Sequence, residues 1–558
     1  MAFVLLLTLF SVCYAAKLPI VDLGYERHQA ISFDSTHGLY NFSNIRYAAP
    51  PVGDLRFRAP VWPQQNRTHI QDGSVGRVCP QAAPIWAEVI DPAFLRSTLE
   101  GTKFNQSANI SSYPYVPQKM DPRTSEDCLF LDVVVPKKIF DRAQNKTFVP
   151  KNTLAPVLVW IFGGGYVEGD KAPYNSSGLI QRSMIGGEGM IYVSINYRLG
   201  AFGWLGGETL AANGTANAGL HDQRFALDWV YKNIHLFGGD GTRVTVMGVS
   251  AGGGSIMHQM TAYGGNAGPS PFQQAIVQSP GWVPIIDDTQ QEQTLQQFLG
   301  ILNVSTIEQA RQLPTEKLIA ANAYQVAKAE WGDFVYGPVV DGTFVPALPG
   351  QLLQKGNFDR NINVMVGHNA DEGLSFVSPA ARNSRWLTTA LQEYYPYIRP
   401  NVTDYITKVL YPAQYDGSYG YTTPLERAAL LFSELNFVCN TDYINRAYHG
   451  QSYAYEFSVP PALHGQDVLY TFYDNGSNYL SSSVDGLSVT NVTIAEVMQD
   501  YFTSFVQAGT PKSSLGPKFP RHGPRAQLIN IGNTTIQPMH DPSDNPRCRF
   551  WQRAPYAS

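Results

Sequence analysis

One serine in this sequence stands in a setting that suits a nucleophile. Ser250 is the centre of a G-x-S-x-G pattern at positions 248–252, which follows the apolar run Val244–Val249 and precedes further small residues. Where a strand turns sharply into a helix through such a pattern, the serine hydroxyl is exposed, and larger side chains two positions away would collide. The pattern therefore predicts nucleophilic acyl-transfer chemistry at Ser250.

A second glycine-rich turn suits the stabilisation of negative charge. Three glycines at positions 163–165 close the apolar run Pro156–Phe162. Consecutive glycines let backbone N–H groups approach a substrate oxygen with no side chain between them. Beside a nucleophile elbow, the N–H groups of Gly164, Gly165 and Ala251 are candidate donors to an oxyanion.

A serine nucleophile needs a general base, and the order Ser, acid, His narrows the choice among the 11 histidines. His464 follows the predicted strand Tyr453–Val459 on a loop, where catalytic loops gather in parallel sheets. Of the other late histidines, His449 lies within a helical pattern, and His522 and His540 lie in proline-rich stretches. We therefore predict that His464 is the base.

The acid that orients the base is less sharply defined. Asp371 and Glu372 both follow the predicted strand Ile362–Val366, and Asp341 is a rival after another apolar stretch. Periodicity does not separate Asp371 from Glu372, so both stay open at this point. His368, on the same loop, is expected to be a structural residue.

The apolar runs that precede these residues predict the fold class. Strands that are buried on both faces have such continuous apolar sequences, which indicates a mostly parallel central sheet covered by helices. We expect an α/β fold with large helical insertions, in which residues 17–558 form one domain. The runs are Pro156–Phe162, Met190–Asn196, Val244–Val249, Ile362–Val366 and Tyr453–Val459, and the helical stretches are Leu220–Phe237, Glu292–Ala329 and Tyr405–Gly450.

The first 16 residues predict export. Met1–Phe10 is a short apolar run, and small residues follow it up to Ala16, as in a cleaved signal peptide. The run is shorter than the roughly 20 apolar residues that span a bilayer. We expect cleavage after Ala15 or Ala16, a secreted, extracellular protein and no stable membrane anchor.

Cysteines and glycosylation sequons fit an exported protein. Removal of Cys13 with the signal leaves four of the five cysteines, and an even number suggests two disulfides in an oxidising compartment. Pairing between sequence neighbours, Cys79–Cys128 and Cys439–Cys548, is our preferred connectivity. Twelve N-glycosylation sequons indicate a glycosylated surface; they begin at Asn41, Asn66, Asn105, Asn109, Asn145, Asn175, Asn213, Asn303, Asn401, Asn475, Asn491 and Asn533.

Composition excludes some classes of partner. The chain carries 40 basic and 45 acidic residues, with no basic stripe, so a nucleic acid is an unexpected partner. The 44% of hydrophobic residues and 15% of charged residues are typical of a globular protein. A small-molecule or lipid ester is the expected partner, the chemistry needs no metal or organic cofactor, and the oligomeric state stays open.

Several segments resemble the type B carboxylesterase/lipase family, which includes the cholinesterases, and the pattern is closest to fungal secreted carboxylesterases and lipases. The resemblance covers nearly the whole mature chain and implies the α/β-hydrolase fold. It rests on residues 237–252 around Ser250, Ser125–Val133, Ile45–Gly53, Asn196–Arg198 and Asn217–Gln223.

The resemblance also assigns roles to particular residues. The family's acid is usually the Glu of a D-E-G motif, which implies Glu372, and its base lies in an H-G motif, which matches His464. It places the oxyanion hole at Gly164, Gly165 and Ala251. The family's disulfides correspond to Cys79–Cys128 and Cys439–Cys548.

Departures from the family pattern bear on the substrate. Most members have Glu before the serine, whereas this chain has Val249, which argues against a choline ester. Phe162, before the three glycines, is as in the fungal lipases. In lipases of this family the segment that corresponds to residues between Cys79 and Cys128 forms the lid. In this chain we expect the segment to be either such a lid or a glycosylated surface loop. The alternatives to a carboxylesterase are therefore a true lipase with an interfacial lid and a non-catalytic binding protein.

Overall fold

The computed structural model describes residues 17–117, 119–144, 154–285, 287–474 and 487–557. The predicted signal peptide, residues 1–16, lies outside the described residues, as do the sequon asparagines Asn145 and Asn475. No helix in these ranges has both the length and the apolar character that crossing a bilayer requires.

Fourteen strands are present in the described residues. They are β1 Ile20–Asp22, β2 Arg27–Gln29, β3 Ser32–Asp34, β4 Leu39–Arg46, β5 Ile70–Gln71, β6 Phe130–Pro136, β7 Ala155–Ile161, β8 Ile191–Ile195, β9 Gly239–Val249, β10 Gln274–Gln278, β11 Asn363–Asn369, β12 Tyr453–Ser458, β13 Gln527–Gly532 and β14 Ile536–His540.

Eighteen α-helices cover or connect these strands within the same ranges. They are α1 Asp91–Leu99, α2 Lys137–Gln144, α3 Ser177–Met184, α4 Ala201–Trp204, α5 Glu208–Ala211, α6 Ala218–Asn233, α7 Ala251–Met260, α8 Asp288–Ile301, α9 Ile307–Arg311, α10 Thr315–Ala327, α11 Pro349–Lys355, α12 Ser384–Tyr394, α13 Pro400–Tyr405, α14 Pro424–Ser433, α15 Cys439–Ala447, α16 Gln466–Thr471, α17 Val492–Ala508 and α18 Pro546–Gln552. Three π-helical turns adjoin α-helices, at Trp86–Ile90, Ile406–Leu410 and Glu434–Val438.

The main sheet has eleven strands in the order β14-β13-β12-β11-β10-β9-β7-β8-β6-β4-β3. Its seven central strands, from β13 to β8, are parallel to their neighbours, and the strands at both edges pair antiparallel. A separate three-stranded sheet is formed by β1, β2 and β5. The predicted class, a mostly parallel sheet covered by helices, is confirmed.

Burial explains why these runs form the centre of the sheet. Every residue of β7 and of β8 is buried, as expected for strands that helices cover on both faces. Because the central strands are parallel, their carboxyl ends meet at one edge of the sheet. The loops that follow β7, β9, β11 and β12 therefore lie together, and they carry the candidate residues.

Two disulfides fasten the covering elements, with the pairing that the sequence predicts. Cys79 bonds to Cys128, and Cys439 at the start of α15 bonds to Cys548 in α18. All four cysteines are buried. The first disulfide closes the segment that contains α1, and the second ties α18 to the helix that follows the π-helical turn Glu434–Val438.

Candidate active site

Ser250 occupies the turn between β9 and α7 in a conformation that only a constrained backbone holds. Its φ of 56° and ψ of −124° are unfavourable for a residue with a side chain. The Ser250 N–H donates to the carbonyl of Gln278 at 3.0 Å, and its own carbonyl accepts from Gly254 at 2.8 Å. These bonds hold the serine between the end of the strand and the first turn of the helix.

Close backbone packing accounts for the glycines on either side of Ser250. A Cβ on Gly252 would lie 2.1 Å from the carbonyl oxygen of Ile161, and one on Gly248 would lie 2.6 Å from the same atom. The elbow therefore rests directly on the end of strand β7, where no side chain fits. This contact brings the turn after β7 next to Ser250.

The triple-glycine turn runs along the Ser250 side chain. A Cβ on Gly163 would lie 2.9 Å from the Cβ of Ser250, and Gly164 adopts a φ of +111°. The carbonyl of Gly164 accepts hydrogen bonds from the N–H groups of Val167 and Glu168, both at 3.0 Å. Gly165 and Ala251, two of the three predicted oxyanion donors, line one cavity together with Ser250, and Gly164 adjoins Gly165 in the same turn.

His464 and Glu372 are hydrogen-bonded to each other. Nδ1 of His464 donates to Oε2 of Glu372 at 2.5 Å, and Glu372 is fully buried. The other carboxylate oxygen of Glu372 accepts from the hydroxyl of Ser279 at 2.6 Å and from the N–H of Asn369 at 2.5 Å. Burial acts to raise the pKa of Glu372, but the imidazole of His464 and these hydrogen bonds hold it below its usual value.

A polar network behind Glu372 was not predicted from the sequence. Asn369 Nδ2 donates to the Ser279 hydroxyl and to the carboxylate of Asp467, each at 3.2 Å. Asp467 also accepts from the Tyr455 hydroxyl at 2.7 Å, and its pKa is raised by burial and by the charge of Glu372. The available signal was the polar pair at positions 278–279, which follows the apolar residues 275–277 of β10.

Asp371, which the spacing could not separate from Glu372, has a different position. Its N–H donates to the carbonyl of Ala462 at 2.9 Å, so its backbone joins the acid loop to the loop that carries His464. Burial and the charges of Glu372 and Glu426 raise the pKa of Asp371 to about 6. No hydrogen bond from His464 to its side chain is present.

The remaining candidate residues are either exposed or paired with other side chains. His449 is exposed after α15, and His540 is exposed in β14. His522 pairs with Asp541 at 3.0 Å, both buried. Asp341 accepts from Asn217, and His368 Nε2 lies 3.6 Å from a carboxylate oxygen of Glu456. Across the described ranges, no group of three or more His, Cys, Asp or Glu is placed to hold a metal ion.

A small cavity, here called the Ser250 cavity, opens beside the nucleophile candidate and encloses about 30 Å³. Six of its lining residues are aromatic: Tyr166, Trp282, Phe334, Tyr336, Phe376 and Phe437. The others are Gly165, Ser250, Ala251, Gly281, Val283, Gly332 and Asn436. None of these residues is charged.

Two rings of the cavity wall connect it to His464. The Phe437 ring lies 4.3 Å from the imidazole and the Phe376 ring 5.0 Å, measured between ring centroids. Nε2 of His464 is buried and has no hydrogen-bond partner among the described residues. The imidazole therefore has one nitrogen engaged by Glu372 and the other unengaged, next to the walls of the Ser250 cavity.

The segment between Cys79 and Cys128 contacts the same walls. Trp86 is 2% exposed, and its ring packs on Phe334 at 5.4 Å, on Trp331 at 5.5 Å and on Phe376 at 6.2 Å. Its indole N–H donates to the carbonyl of Asp333 at 3.0 Å. A larger cavity of about 620 Å³, which shares Val283 with the Ser250 cavity, lies alongside.

Known proteins of similar sequence and structure are esterases and lipases. The model of the carboxylesterase family matches residues 27–551. Carboxylesterase patB of Aspergillus clavatus is 43% identical, with 99% of each chain covered, and lipase 1 of Geotrichum candidum is 30% identical over 77% of this chain and 80% of its own length. The crystal structure of Aspergillus niger EstA is 26% identical, superposes with a TM-score of 0.79 and covers 97% of this chain and 99% of its own.

Proposed function

Because this chain belongs to the carboxylesterase family and is a carboxylic ester hydrolase with the α/β-hydrolase fold, we propose that it works through an acyl-enzyme on Ser250. Its proposed general base is His464, and Glu372 is the proposed acid that holds the base. Support comes from the elbow conformation of Ser250 and from the hydrogen bond between His464 and Glu372.

The acylation step follows from these roles. Nε2 of His464 accepts the hydroxyl proton while Oγ of Ser250 bonds to the ester carbonyl carbon, and the C=O electron pair moves to the oxygen. The N–H groups of Gly164, Gly165 and Ala251 donate to this oxyanion. When the C=O re-forms, the bond to the alcohol oxygen breaks, and His464 gives its proton to the departing alcohol.

Deacylation repeats the sequence with water. His464 takes a proton from water, whose oxygen attacks the acyl carbon, and collapse of the second oxyanion releases the acid. The proton returns to Oγ of Ser250. Glu372 stays ionised throughout, because its hydrogen bonds with His464, Ser279 and Asn369 favour the charged form.

The observation that carries this proposal is the imidazole of His464, bonded to Glu372 through Nδ1 and unengaged at Nε2. A fluorophosphonate probe tests it directly, because the probe reacts only with an activated serine. We expect one labelled peptide, containing Ser250, and no labelling of Ser250→Ala.

Ser255→Ala is the matched control, because Ser255 is a buried serine in helix α7, which follows Ser250, and its hydroxyl accepts from Gln223. This variant should still be labelled. Labelling of Ser250→Ala, or a wild-type protein that hydrolyses p-nitrophenyl esters but never reacts, would overturn the assignment.

Export with glycosylation is proposed as part of this function. Two buried disulfides fit an oxidising compartment, and each of the ten sequon asparagines within the described ranges is exposed or half-buried. Protein recovered from the medium of a eukaryotic host should begin at Ala16 or Lys17 and lose mass on endoglycosidase treatment. Retention in the cells with residues 1–16 intact would contradict this.

A lipase with a moving lid is the second candidate. It is favoured by the position of Trp86, a residue of the segment after Cys79, whose ring packs against two rings of the Ser250 cavity. Hydrolysis of tributyrin measured across its solubility limit separates the two functions. A rate that jumps at the limit favours the lipase, and a rate that saturates below it favours a soluble-ester carboxylesterase.

A further inference from the structure

Two of the residues that line the Ser250 cavity, Asn436 and Trp282, each have a buried polar atom with no hydrogen-bond partner in the described part of the chain. Asn436 lines the cavity, is 3% exposed, and its Oδ1 is unpaired among the described residues. Trp282, 8% exposed, also lines the cavity, and its Nε1 is unpaired in the same set. A buried polar group left unpaired is destabilising, so both positions favour a partner that the described residues do not supply.

The local fold holds these two groups in fixed positions. Asn436 lies in the π-helical turn Glu434–Val438, a helical irregularity that is frequent at functional sites. The amide of Asn440 donates both to the carbonyl of Asn436 and to that of Pro280, each at 2.9 Å. Asn440 thus joins the π-helical turn, through hydrogen bonds, to the segment that contains Trp282. The backbone that carries Asn436 is therefore bonded to the segment that precedes Trp282.

The chemistry of the wall limits what can bind there. None of the lining residues is charged, so an ammonium or carboxylate group would be buried without a counter-ion, which is strongly unfavourable. A saturated alkyl chain would leave both polar groups unpaired. A hydroxyl satisfies both kinds of group, because it accepts from an indole N–H and donates to an amide oxygen, and it also suits either orientation of the amide.

We propose that Asn436 and Trp282 select esters that carry a hydroxyl group on the portion bound in the Ser250 cavity. This inference rests on the proposed function, since it names the substrate class of the same site. The preferred substrate is therefore a hydroxylated ester rather than one with a plain alkyl group in this cavity.

Matched ester pairs test the proposal and identify which half of the substrate carries the hydroxyl. One pair is p-nitrophenyl propanoate and p-nitrophenyl 3-hydroxypropanoate, and the other is propyl acetate and 3-hydroxypropyl acetate. Each kcat/KM ratio is divided by the ratio of hydroxide-catalysed rates, which removes intrinsic reactivity. We expect one pair to favour the hydroxylated ester by about tenfold or more.

Two variants test whether Asn436 and Trp282 cause the preference for the hydroxylated ester, and a third variant is the control. In Asn436→Leu and in Trp282→Phe, which keep most of the side-chain volume, the corrected ratio should fall to within about twofold of unity. Asn445→Leu is the matched control, because Asn445 is buried but bonded to Ser452 and Asp541 outside the cavity. It should keep the full preference even where its thermal midpoint falls.

Equal corrected rates for both members of both pairs in the wild-type enzyme would overturn the proposal, whatever the variants do. Enclosed water would then be the partner of the two groups. If the wild-type enzyme hydrolysed none of these esters, the proposed function itself would be overturned. Failure of the hydroxyl preference and failure of the proposed function are therefore distinguishable. A preference that survives in folded Asn436→Leu and Trp282→Phe would also overturn the proposal, because another residue would then be responsible.

Discussion

Glu372 and His464, 92 positions apart in the chain, meet in a 2.5 Å hydrogen bond at the carboxyl edge of the central sheet. They belong to loops that follow the neighbouring parallel strands β11 and β12. The backbone bond between Asp371 and Ala462 joins these same loops, one residue before Glu372 and two residues before His464. The proposed acid and base are therefore positioned by strand register as well as by their own contact.

Replacement of the proposed acid should slow the chemistry without unfolding the protein. We expect Glu372→Gln to lower kcat on p-nitrophenyl acetate by roughly 10³- to 10⁴-fold, because the amide neither stabilises the protonated imidazole nor holds the neutral imidazole in the tautomer with Nε2 unprotonated. Asp371→Asn is the control and should stay within severalfold of wild type. Equal losses in the two variants, at unchanged thermal midpoints, would contradict the choice of Glu372.

Packing of the elbow against β7 predicts a sharp difference between two glycines. Gly252→Ala should lose nearly all activity or fail to fold, because its Cβ would lie 2.1 Å from the Ile161 carbonyl oxygen. Gly300→Ala, in helix α8 with no atom within 4 Å of the new Cβ, should gain about 0.5–1 kcal/mol of stability. Activity and thermal midpoints of both variants provide the check.

A buried carboxyl group predicts how stability depends on pH. Neither oxygen of Asp442 has a hydrogen bond in the described structure, and Arg446 lies 3.6 Å away. Burial raises the pKa of Asp442 to about 7, with Arg446 partly opposing the shift. Between pH 4 and 7 the folded protein therefore binds more protons than the unfolded chain, and the free energy of unfolding falls as pH rises through this window.

Asp442→Asn should remove that dependence. The variant should be more stable than wild type at pH 8 by about 2–4 kcal/mol, with a smaller difference at pH 5. Thermal midpoints at the two pH values measure the effect. A pH-independent difference for Asp442→Asn would refute the explanation.

The second disulfide should contribute more to stability than to catalysis. Alanine at both Cys439 and Cys548 opens a loop of 109 positions, which on loop-closure entropy costs about 4–5 kcal/mol. We expect a lower denaturation midpoint in oxidising buffer and preserved probe labelling at Ser250 below that midpoint. A midpoint equal to that of the wild type would contradict this.

The sequence alone predicts the central strands well and their edges poorly. Runs such as Pro156–Phe162 are apolar because helices cover both faces of the sheet, and the observed strand Ala155–Ile161 differs by one residue at each end. The antiparallel edge strands carry weaker signals. β14, for example, has no buried residue, so no hydrophobic pattern marks it.

Around the site, local pattern identifies the turns but not the contacts made across the chain. Asp371 and Glu372 are adjacent, and only the direction of the side chain distinguishes them. The network of Ser279, Asn369 and Asp467 joins three separate segments, so no spacing within one segment could predict it. The docking of Trp86 onto Phe334 is likewise a long-range contact, 248 positions apart in the numbering.

The connection of α15 to α18 has a consequence for biosynthesis. Cys548 follows the proposed nucleophile, acid and base in the chain, so its bond to Cys439 forms only after all three have left the ribosome. The π-helical turn that carries Asn436 directly precedes Cys439. The disulfide beside the proposed substrate-selecting residue Asn436 therefore forms last, and under the proposed export its formation would depend on an oxidoreductase of the secretory pathway.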